Sequence, residues 1–360
     1  MTTTPNSSRL SVSDSRTVMR PPNPRRRDRC LPLAGIVISL VVTGCEQPTL
    51  PVKPESQSGG RFVSMVGKQP VTPLCEPETL DPGRIALGKK LFHDKRFSRD
   101  NSVSCASCHD MNKGGADGLP TAIGIDGQRG AVNTPTVFNS SLSLAQFWDG
   151  RARTLEEQVP GPIHSPSEMG SNWQQVIGKL TQDAALVDQF KDVYGAPISE
   201  KLIVDAIASY EHSLITTGAS FDKYLLGDET AIPDAVREGY ELFREVGCIS
   251  CHQGRAVGGN MFQKFGVMED FSKVAELGNS DNGRFNVTER PADLHRFKVP
   301  SLRNVTLTAP YFHDGRTASL EDAIRIMAKH QLGTELTAKE VTLIEQFLGS
   351  LTGTVRSDWQ

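Results

Sequence analysis

Two short cysteine–histidine motifs are the residues of the chain best suited to chemistry. Residues 105–109 read Cys-Ala-Ser-Cys-His, and residues 248–252 read Cys-Ile-Ser-Cys-His. Two thiols one helical turn apart can form thioethers with the two vinyl groups of one haem, and the histidine that follows can bind the iron. Structural zinc is the alternative, but it needs four ligands per site and no histidine directly after the second cysteine. The motifs therefore predict two covalently attached haem c groups. The predicted attachment and ligand residues are Cys105, Cys108, His109, Cys248, Cys251 and His252.

The sequence around the two motifs is an internal repeat. A Gly-x-x-x-Phe pattern on a stretch with helical spacing precedes each motif, at Gly88 and at Gly239. A longer block recurs after each motif at a constant offset of 165 positions (300 − 135), whereas the haem cysteines are offset by 143 (248 − 105). The repeated block consists of Pro135, Asn139, Phe147, Asp149, Gly150, Arg151, Leu155 and Glu156, which recur as Pro300, Asn304, Phe312, Asp314, Gly315, Arg316, Leu320 and Glu321. The repeat predicts a mainly α fold of two cytochrome c-like haem domains related by internal duplication, at residues 78–232 and 233–360.

The two halves differ where a second axial ligand to iron would come from. In the second half an amphipathic segment that follows Leu320 ends at Met327, and a methionine thioether is a common axial ligand of haem c. The same register in the first half gives Pro162 (327 − 165), which cannot bind iron. Met327 is therefore either the ligand of an electron-transfer haem or a core methionine. The first haem is predicted to be open on that side.

Three further residues of the first half could take part in chemistry. Trp148 stands where the repeat has His313, and it is either an electron relay or a packing residue. Gln158 and Glu168 flank Pro162 and so belong to the segment expected to cover the open haem. Cleavage of a peroxide needs a group that takes a proton from one oxygen and returns it to the other, and a carboxylate beside an amide suits that role. Surface carboxylates on a loop are the alternative reading.

The N-terminal stretch has the pattern of an export signal. A basic patch at residues 25–29 precedes an apolar run at residues 31–42, which is too short for the ~20 residues that span a bilayer. Residues 42–45 resemble a bacterial lipobox ending at Cys45. The pattern predicts a lipoprotein signal at residues 1–45, lipidation at Cys45 and a flexible Pro- and Ser-rich linker at residues 46–77. An uncleaved signal anchor is the alternative. Cys75 receives no role.

Composition narrows the partners and the compartment. A net charge of −3 with 22% charged residues gives no indication of nucleic-acid binding. Thioether attachment of haem takes place outside the cytoplasm, which agrees with the export signal. The chain is therefore predicted to be a periplasmic, membrane-anchored bacterial lipoprotein.

Several motifs resemble the bacterial di-haem cytochrome c peroxidase family over about residues 80–351. They are Asn133-Thr134-Pro135-Thr136, Gln146-Phe147-Trp148-Asp149-Gly150-Arg151, Glu168-Met169-Gly170, Leu302-Arg303-Asn304-Val305 and Ala309-Pro310-Tyr311-Phe312-His313. The resemblance implies reduction of hydrogen peroxide with electrons from a small cytochrome c or a copper protein. It implies that His109 serves the peroxidatic haem, that His252 and Met327 ligate the electron-transfer haem, and that Trp148 lies between them.

The resemblance also implies roles that spacing alone does not supply. Gln158 and Glu168 would be the catalytic pair over the open haem. Asn133, with the backbone carbonyls of Thr308 and Pro310, would match a calcium site. The sequence does not determine the oligomeric state, and a homodimer is one state that it leaves open.

The chain departs from the family pattern in one loop. Many members close the peroxidatic haem with a histidine, where this chain has Ile125, and no histidine occurs between His109 and His164. This departure predicts a haem that needs no reductive activation. It also brings the chain nearer to di-haem enzymes that oxidise side chains of a partner protein, although those relatives have tyrosine in place of Met327. A side-chain oxidase and a plain di-haem electron carrier therefore remain the alternatives.

Overall fold

The computed structural model describes residues 69–75, 80–271 and 282–357. The predicted signal, Cys45 and most of the predicted linker lie outside these residues. None of the helices in the described ranges is long and apolar enough to cross a membrane.

Helices dominate the described residues, which confirms the predicted mainly α class. The helices of the first half are α1 (Pro82–Phe92), α2 (Cys105–Cys108), α3 (Leu155–Gln158), α4 (Pro160–His164), α5 (Trp173–Leu180), α6 (Ala184–Tyr194) and α7 (Glu200–Ser213). They are followed by α8 (Ser220–Leu225), α9 (Asp234–Glu245), α10 (Phe285–Thr288), α11 (Leu320–Ile326), a π-helical turn (Met327–Leu332) and α12 (Ala338–Gly349). Strands β1 (Phe262–Lys264) and β2 (Arg296–Lys298) pair antiparallel, with Phe262 opposite Lys298.

Each half is built on one pair of helices in close contact. Helix α1 packs on α7, and α9 packs on α12. A Cβ atom added to Gly88 would lie 1.9 Å from the carbonyl oxygen of Ala206, and one added to Gly239 would lie 2.0 Å from that of Leu343. The glycines of the repeated Gly-x-x-x-Phe pattern are therefore the points where each helix pair meets backbone to backbone.

The backbone repeats itself in the block that is offset by 165 positions. Asn139 and Asn304 both have a φ of 59°, and Phe147 and Phe312 have φ values of 65° and 67°. Left-handed backbone is uncommon for residues other than glycine, especially for bulky ones. The same unusual conformation at equivalent positions confirms the internal duplication.

The boundary between the two hydrophobic cores differs from the predicted one. Phe221, Leu225 and Ile232 pack with the second core, although they precede the predicted boundary at residue 233. Val355, near the C-terminus, packs with the first core. Segment 214–221 is thus where the chain leaves the first core for the second.

Part of the predicted linker is packed against the second half. Val71 is buried and belongs to the second core, and its neighbour Thr72 donates its backbone amide to the carbonyl of Gly254 at 3.3 Å. The side chain of Gln69 accepts a hydrogen bond from the hydroxyl of Tyr240 at 3.0 Å. Residues 69–75 therefore act as part of the folded body, and the flexible linker predicted over residues 46–77 is corrected at this end.

A buried threonine joins the two halves. The hydroxyl of Thr216 accepts a hydrogen bond from the amide of Asn139 at 2.8 Å and donates one to the amide oxygen of Asn304 at 2.8 Å. The two asparagines are equivalent in the repeat, and all three side chains are at most 1% exposed. This contact holds the two repeated blocks in one fixed relation.

Candidate functional site

Both cysteine–histidine motifs face one cavity of about 530 Å³. Its lining includes Cys108 and His109 from the first motif and Cys248, Cys251 and His252 from the second. A smaller cavity of about 60 Å³ continues along Cys105, Cys108 and His109. The structure thus brings the two motifs, 143 residues apart in sequence, to a common interior space.

The first histidine is oriented by its own loop. His109 follows α2, and its Nδ1 lies 3.1 Å from the carbonyl oxygen of Gly115. Burial lowers the pKa of His109, which favours the neutral imidazole. A neutral ring whose Nδ1 donates to a carbonyl leaves Nε2 free as a metal ligand, the usual arrangement for a histidine that ligates iron.

The second histidine repeats this arrangement. Nδ1 of His252 lies 3.3 Å from the carbonyl oxygen of Val257, and burial lowers the pKa of His252 to about 4. A phenylalanine of the repeated pattern packs near each histidine, with ring centroids 6.3 Å apart for Phe92 and His109 and 6.4 Å apart for Phe243 and His252. Met327 opens the π-helical turn after α11 and lines the same cavity.

The cysteines fit thioethers better than zinc thiolates. Burial raises the pKa of Cys108 to about 11 and that of Cys248 to about 12. Such surroundings accommodate an uncharged sulfur, such as that of a thioether. A cavity of this volume is also far larger than an ion needs and falls in the range of cofactor sites. Cys75 is exposed and does not line either cavity.

The residues predicted to cover the first haem are together in the structure. Gln158, Pro162 and Glu168 line both cavities, as does His109. Burial raises the pKa of Glu168, with Ser165 and the charge of Arg151 opposing the effect. A raised pKa makes the carboxyl group easier to protonate, which suits a group that accepts a proton and then releases it.

The loop that carries Ile125 is fixed against the segment of Glu168. The backbone amide of Ile125 donates to the carbonyl of Glu168 at 2.9 Å, and Arg99 forms an ion pair with Asp126 at 2.5 Å. The Ile125 side chain is 1% exposed and packs on Gly170, where an added Cβ would lie 2.4 Å from Ile125 Cδ1. Ile125 is not among the residues that line either cavity.

Trp148 lies at the junction of the two halves. Its indole N–H donates to the carbonyl oxygen of Asn133 at 2.9 Å, and its ring meets that of His313 edge-on at 6.4 Å. His313 in turn stacks on Phe297 at 4.0 Å. Trp148, His313 and Phe297 all line the large cavity.

The predicted calcium ligands also line the large cavity. Asn133, Thr308 and Pro310 all contribute to its lining. The Asn133 side-chain amide donates to the carbonyl of Leu119 at 2.9 Å, which leaves its side-chain oxygen for another partner. Side-chain and backbone carbonyl oxygens are ligands that calcium accepts.

Two titratable side chains of the cavity were missed by the sequence reasoning. Lys298 on β2 is 8% exposed, and burial lowers its pKa to about 8. Glu211 on α7 is 5% exposed, and burial raises its pKa to about 8. The offset of 165 positions relates Lys298 to Asn133 (298 − 133), a signal that was present in the sequence. Glu211 lies beyond the repeated block, so the offset of 165 positions does not identify an equivalent residue in the second half. The contacts within the two helix pairs, α1 with α7 and α9 with α12, are needed for that.

The fold and the cavity define a class, namely a helical protein with two haem sites in duplicated domains. A family profile described as di-haem cytochrome c peroxidase matches residues 82–230. The cytochrome c551 peroxidase of Nitrosomonas europaea is 44% identical over 304 residues, which cover 82% of this chain and 88% of that protein. The cytochrome c peroxidase Ccp of Escherichia coli is 46% identical over 286 residues, which cover 79% of this chain and 61% of that protein.

A solved structure agrees with this class. A MauG-like protein associated with microbial copper homeostasis superposes with a TM-score of 0.69 at 26% identity, covering 85% of this chain and 97% of the other. The chain belongs to the di-haem cytochrome c peroxidase family. It spans less than two thirds of the length of the E. coli relative, so that protein contains further sequence with no counterpart in the alignment.

Proposed function

We propose that the chain is a di-haem cytochrome c peroxidase, which reduces hydrogen peroxide to water with electrons from a small cytochrome c or a copper protein. One observation carries the proposal. A single cavity is lined by His109, Gln158 and Glu168 of the first half and by His252 and Met327 of the second half. The haems, once attached through the two cysteine pairs, would supply an iron that binds peroxide and an iron that stores an electron.

The residues near His109 have distinct tasks in this proposal. Glu168 takes the proton from one peroxide oxygen and returns it to the other. The Gln158 amide can donate to one oxygen and accept from the other, so it orients the peroxide. Pro162 has no ligand atom in its side chain, so it would leave the iron held by His109 open to substrate.

The residues between the halves serve electron transfer. Trp148 is the proposed relay, since it lies at the junction and its ring is fixed by the hydrogen bond to Asn133. A calcium ion on Asn133 and on the carbonyls of Thr308 and Pro310 would stabilise the same junction. His252 and Met327 would hold the iron of the electron-transfer haem.

The export signal completes the proposal. We infer a periplasmic protein held to a membrane by lipid on Cys45, because thioether attachment of haem and lipobox processing both take place outside the cytoplasm. Mass spectrometry of membrane-extracted protein should find a diacylated Cys45 at the N-terminus. A chain that begins elsewhere without lipid contradicts the anchor. The homodimer stays a prediction, which sedimentation of the purified holoprotein tests.

Peroxide turnover tests the proposed reaction. The fully oxidised holoprotein is mixed with reduced cytochrome c and hydrogen peroxide, and the oxidation of the cytochrome is followed optically. We expect steady turnover with two molecules of cytochrome oxidised per peroxide. Reduction of both haems by the donor without consumption of peroxide would instead identify an electron carrier.

The second candidate is an oxidase of partner-protein side chains. The similarity to a MauG-like structure favours it, as does the absence of a histidine at position 125. Met327 argues against it, because the resembling side-chain oxidases have tyrosine there. Slow turnover with cytochrome c, together with peroxide-dependent oxidation of tryptophan or tyrosine in a co-purifying protein, would favour this candidate.

A further inference from the structure

Peroxide reduction consumes protons that the proposed catalytic residues, Gln158 and Glu168, do not supply. Hydrogen peroxide, two electrons and two protons give two water molecules. Glu168 moves a proton from one oxygen to the other and ends in the state in which it began. Both net protons must therefore reach the cavity from outside, although the site near His109 is buried.

A carboxyl group with no assigned role lies at this site. Glu211 in the last turn of α7 is 5% exposed and lines both the large cavity and the small one. Within the part of the chain that the structure describes, its buried Oε2 atom has no hydrogen-bond partner. Burying a polar group without a partner costs about 1–3 kcal/mol in proteins, so packing alone does not account for a glutamate at this position.

The internal repeat supplies a comparison for this position. Gly88 contacts Ala206 and Tyr210 across the first helix pair, and Gly239 contacts Leu343 and Phe347 across the second. These contacts relate α7 to α12 with an offset of 137 positions (343 − 206 and 347 − 210). The counterpart of Glu211 is then Leu348 (211 + 137).

Leu348 shows what this position requires for packing alone. It is 3% exposed and lines the large cavity from the electron-transfer side. At the equivalent position of the second helix pair, an apolar side chain is therefore enough for packing. The carboxyl group of Glu211 is specific to the half in which peroxide would react.

Helix α3, which packs on α7, carries a solvent-exposed charge that acts on Glu211. Glu156, in the first turn of α3, is 48% exposed at its side chain and lies 3.7 Å from Nε2 of His212. The charge of Glu156 acts directly on Glu211. Tyr210 on α7 and Cys105 on α2 also interact with Glu211, and the titratable groups that share the small cavity with it are Cys105, Cys108, His109 and Glu168. Glu211 thus lines the cavity and also feels the charge of Glu156, which is paired with His212 at the surface.

We propose that Glu211 is a proton-delivery residue of the peroxide site, which takes protons from the Glu156–His212 pair and releases them into the cavity. The inference rests on the proposed peroxidase function. A proton on Glu211 leaves for the cavity as the two waters form, and a proton from the surface pair replaces it. The carboxyl group undergoes no net change over a cycle, and the two electrons come from the donor.

The protonation of Glu211 agrees with this role. Burial raises its pKa to about 8, with Glu156 adding to the effect, so the group holds a proton at neutral pH. A donor of this kind is depleted as the pH rises above about 8. Turnover of the wild type should therefore fall in that range.

Two substitutions and one control test the proposal in the holoprotein. Glu211→Gln keeps the shape of the side chain, and Glu211→Leu installs the residue that the other half already accommodates. Asp205→Asn, on the same helix and partly exposed, removes a carboxylate that pairs with Arg84 and does not line the cavity. Absorbance of the haems confirms that each variant is folded and loaded.

The first readout does not depend on activity. Infrared difference spectra between pH 6 and pH 10 should show the loss of a buried, protonated carboxyl band in the wild type and in Asp205→Asn. The band should be absent from both Glu211 variants. If it persists in them, another group is the buried acid and the proposal is overturned.

The second readout is kinetic. We expect kcat to fall about tenfold in both Glu211 variants, less than the roughly 10²–10⁴-fold loss for a group that exchanges protons with the substrate itself. KM for peroxide should stay the same, the solvent deuterium isotope effect should increase, and the fall of turnover above pH 8 should disappear. An active wild type with unchanged kcat in both variants overturns the proton-delivery role alone. A wild type that consumes no peroxide overturns the proposed function, and this role with it.

Discussion

The backbone amide of Lys298 donates a hydrogen bond to the carbonyl oxygen of Trp148 at 2.8 Å. The amide of Asn133 makes the same contact with the carbonyl of His313, also at 2.8 Å. The two donors are equivalent in the repeat (298 − 133 = 165), and so are the two acceptors (313 − 148 = 165). Each half therefore donates the same hydrogen bond to the other half. The ring of Trp148 is thus positioned by both halves, since its indole N–H is bound to Asn133 and its carbonyl to Lys298.

Glu168→Gln should separate chemistry from electron storage. The amide cannot shuttle a proton, so we expect kcat to fall roughly 10²–10⁴-fold while the donor still reduces both haems. Glu157→Gln, at an exposed position of α3, is the matched control. Steady-state assays with reduced cytochrome c measure the effect. Near-normal turnover of the Glu168 variant would remove this residue from the mechanism.

Met327→His should change the potential of one haem only. A nitrogen ligand favours ferric iron more than a thioether does, so the potential of the haem bound to His252 should fall while the other stays. Met268→Leu is the control, because Met268 is 62% exposed. A spectroelectrochemical titration resolves the two haems. Two unchanged potentials would show that Met327 is a core residue.

The oxidised protein should react with peroxide at once, because the loop of Ile125 brings no ligand to the cavity. Stopped-flow mixing without reductant measures this reaction. A lag that prior reduction abolishes, with two low-spin signals by electron paramagnetic resonance, would reveal an unidentified ligand.

Ile125→His should leave this immediate reaction unchanged. The new ring would lie beneath Gly170, where the loop is held by hydrogen bonds to the Glu168 segment. A polar group in that buried place should lower the free energy of unfolding by about 1–3 kcal/mol. Ile123→His, at a position 41% exposed in the same loop, should be nearly neutral. A variant that requires prior reduction would show that the loop moves.

The glycines of the two helix pairs should be intolerant of alanine. Gly88→Ala and Gly239→Ala place a Cβ within about 2 Å of a backbone carbonyl, so each helix pair must separate. We expect each substitution to lower the free energy of unfolding by more than about 3 kcal/mol, at the upper end of overpacking effects. Gly178→Ala in α5 meets no atom within 4 Å and should raise stability by about 0.5–1 kcal/mol. Urea denaturation of the holoproteins measures all three.

Glu211 should make the fold less stable as the pH rises. Its pKa is about 8 in the folded state against an ordinary 4.5, so above pH 4.5 the folded chain retains a proton that the unfolded chain releases. Stability contributed by this group is full below about pH 4.5 and is lost as the pH rises to about 8, at a slope approaching 1.4 kcal/mol per pH unit. Glu211→Leu should therefore gain stability relative to the wild type at pH 8 but little at pH 4. Denaturation at both values, with Asp205→Asn as control, tests the sign.

The site was largely predictable because its determinants are local in sequence. The Cys-x-x-Cys-His spacing is visible without the fold, and the constant offset of the repeated block relates Met327 to Pro162 in the sequence alone. The position of Gln158 and Glu168 along the cavity agrees with that register.

The remainder depends on tertiary contacts whose register the sequence does not display. The offset between the halves is 143 at the haem cysteines, 165 in the repeated block and 137 between α7 and α12. Insertions therefore hide the pairing of Glu211 with Leu348, which becomes visible only through the contacts of Gly88 and Gly239. The packing of Val71 on the second core is equally invisible in a segment rich in proline and serine.

The contact of Thr216 with both asparagines has a consequence for the architecture. The offset of 137 makes Gly353 its counterpart (216 + 137), and a Cβ on Gly353 would lie 2.5 Å from the carbonyl oxygen of Thr216. Only one of the two equivalent places has room for a side chain. In an assembly of two identical subunits every residue appears twice, so a threonine facing a glycine could not arise there. When the two copies are joined in one chain, each can change without the other. This permits Glu211 in one haem domain and Leu348 at the equivalent position of the other.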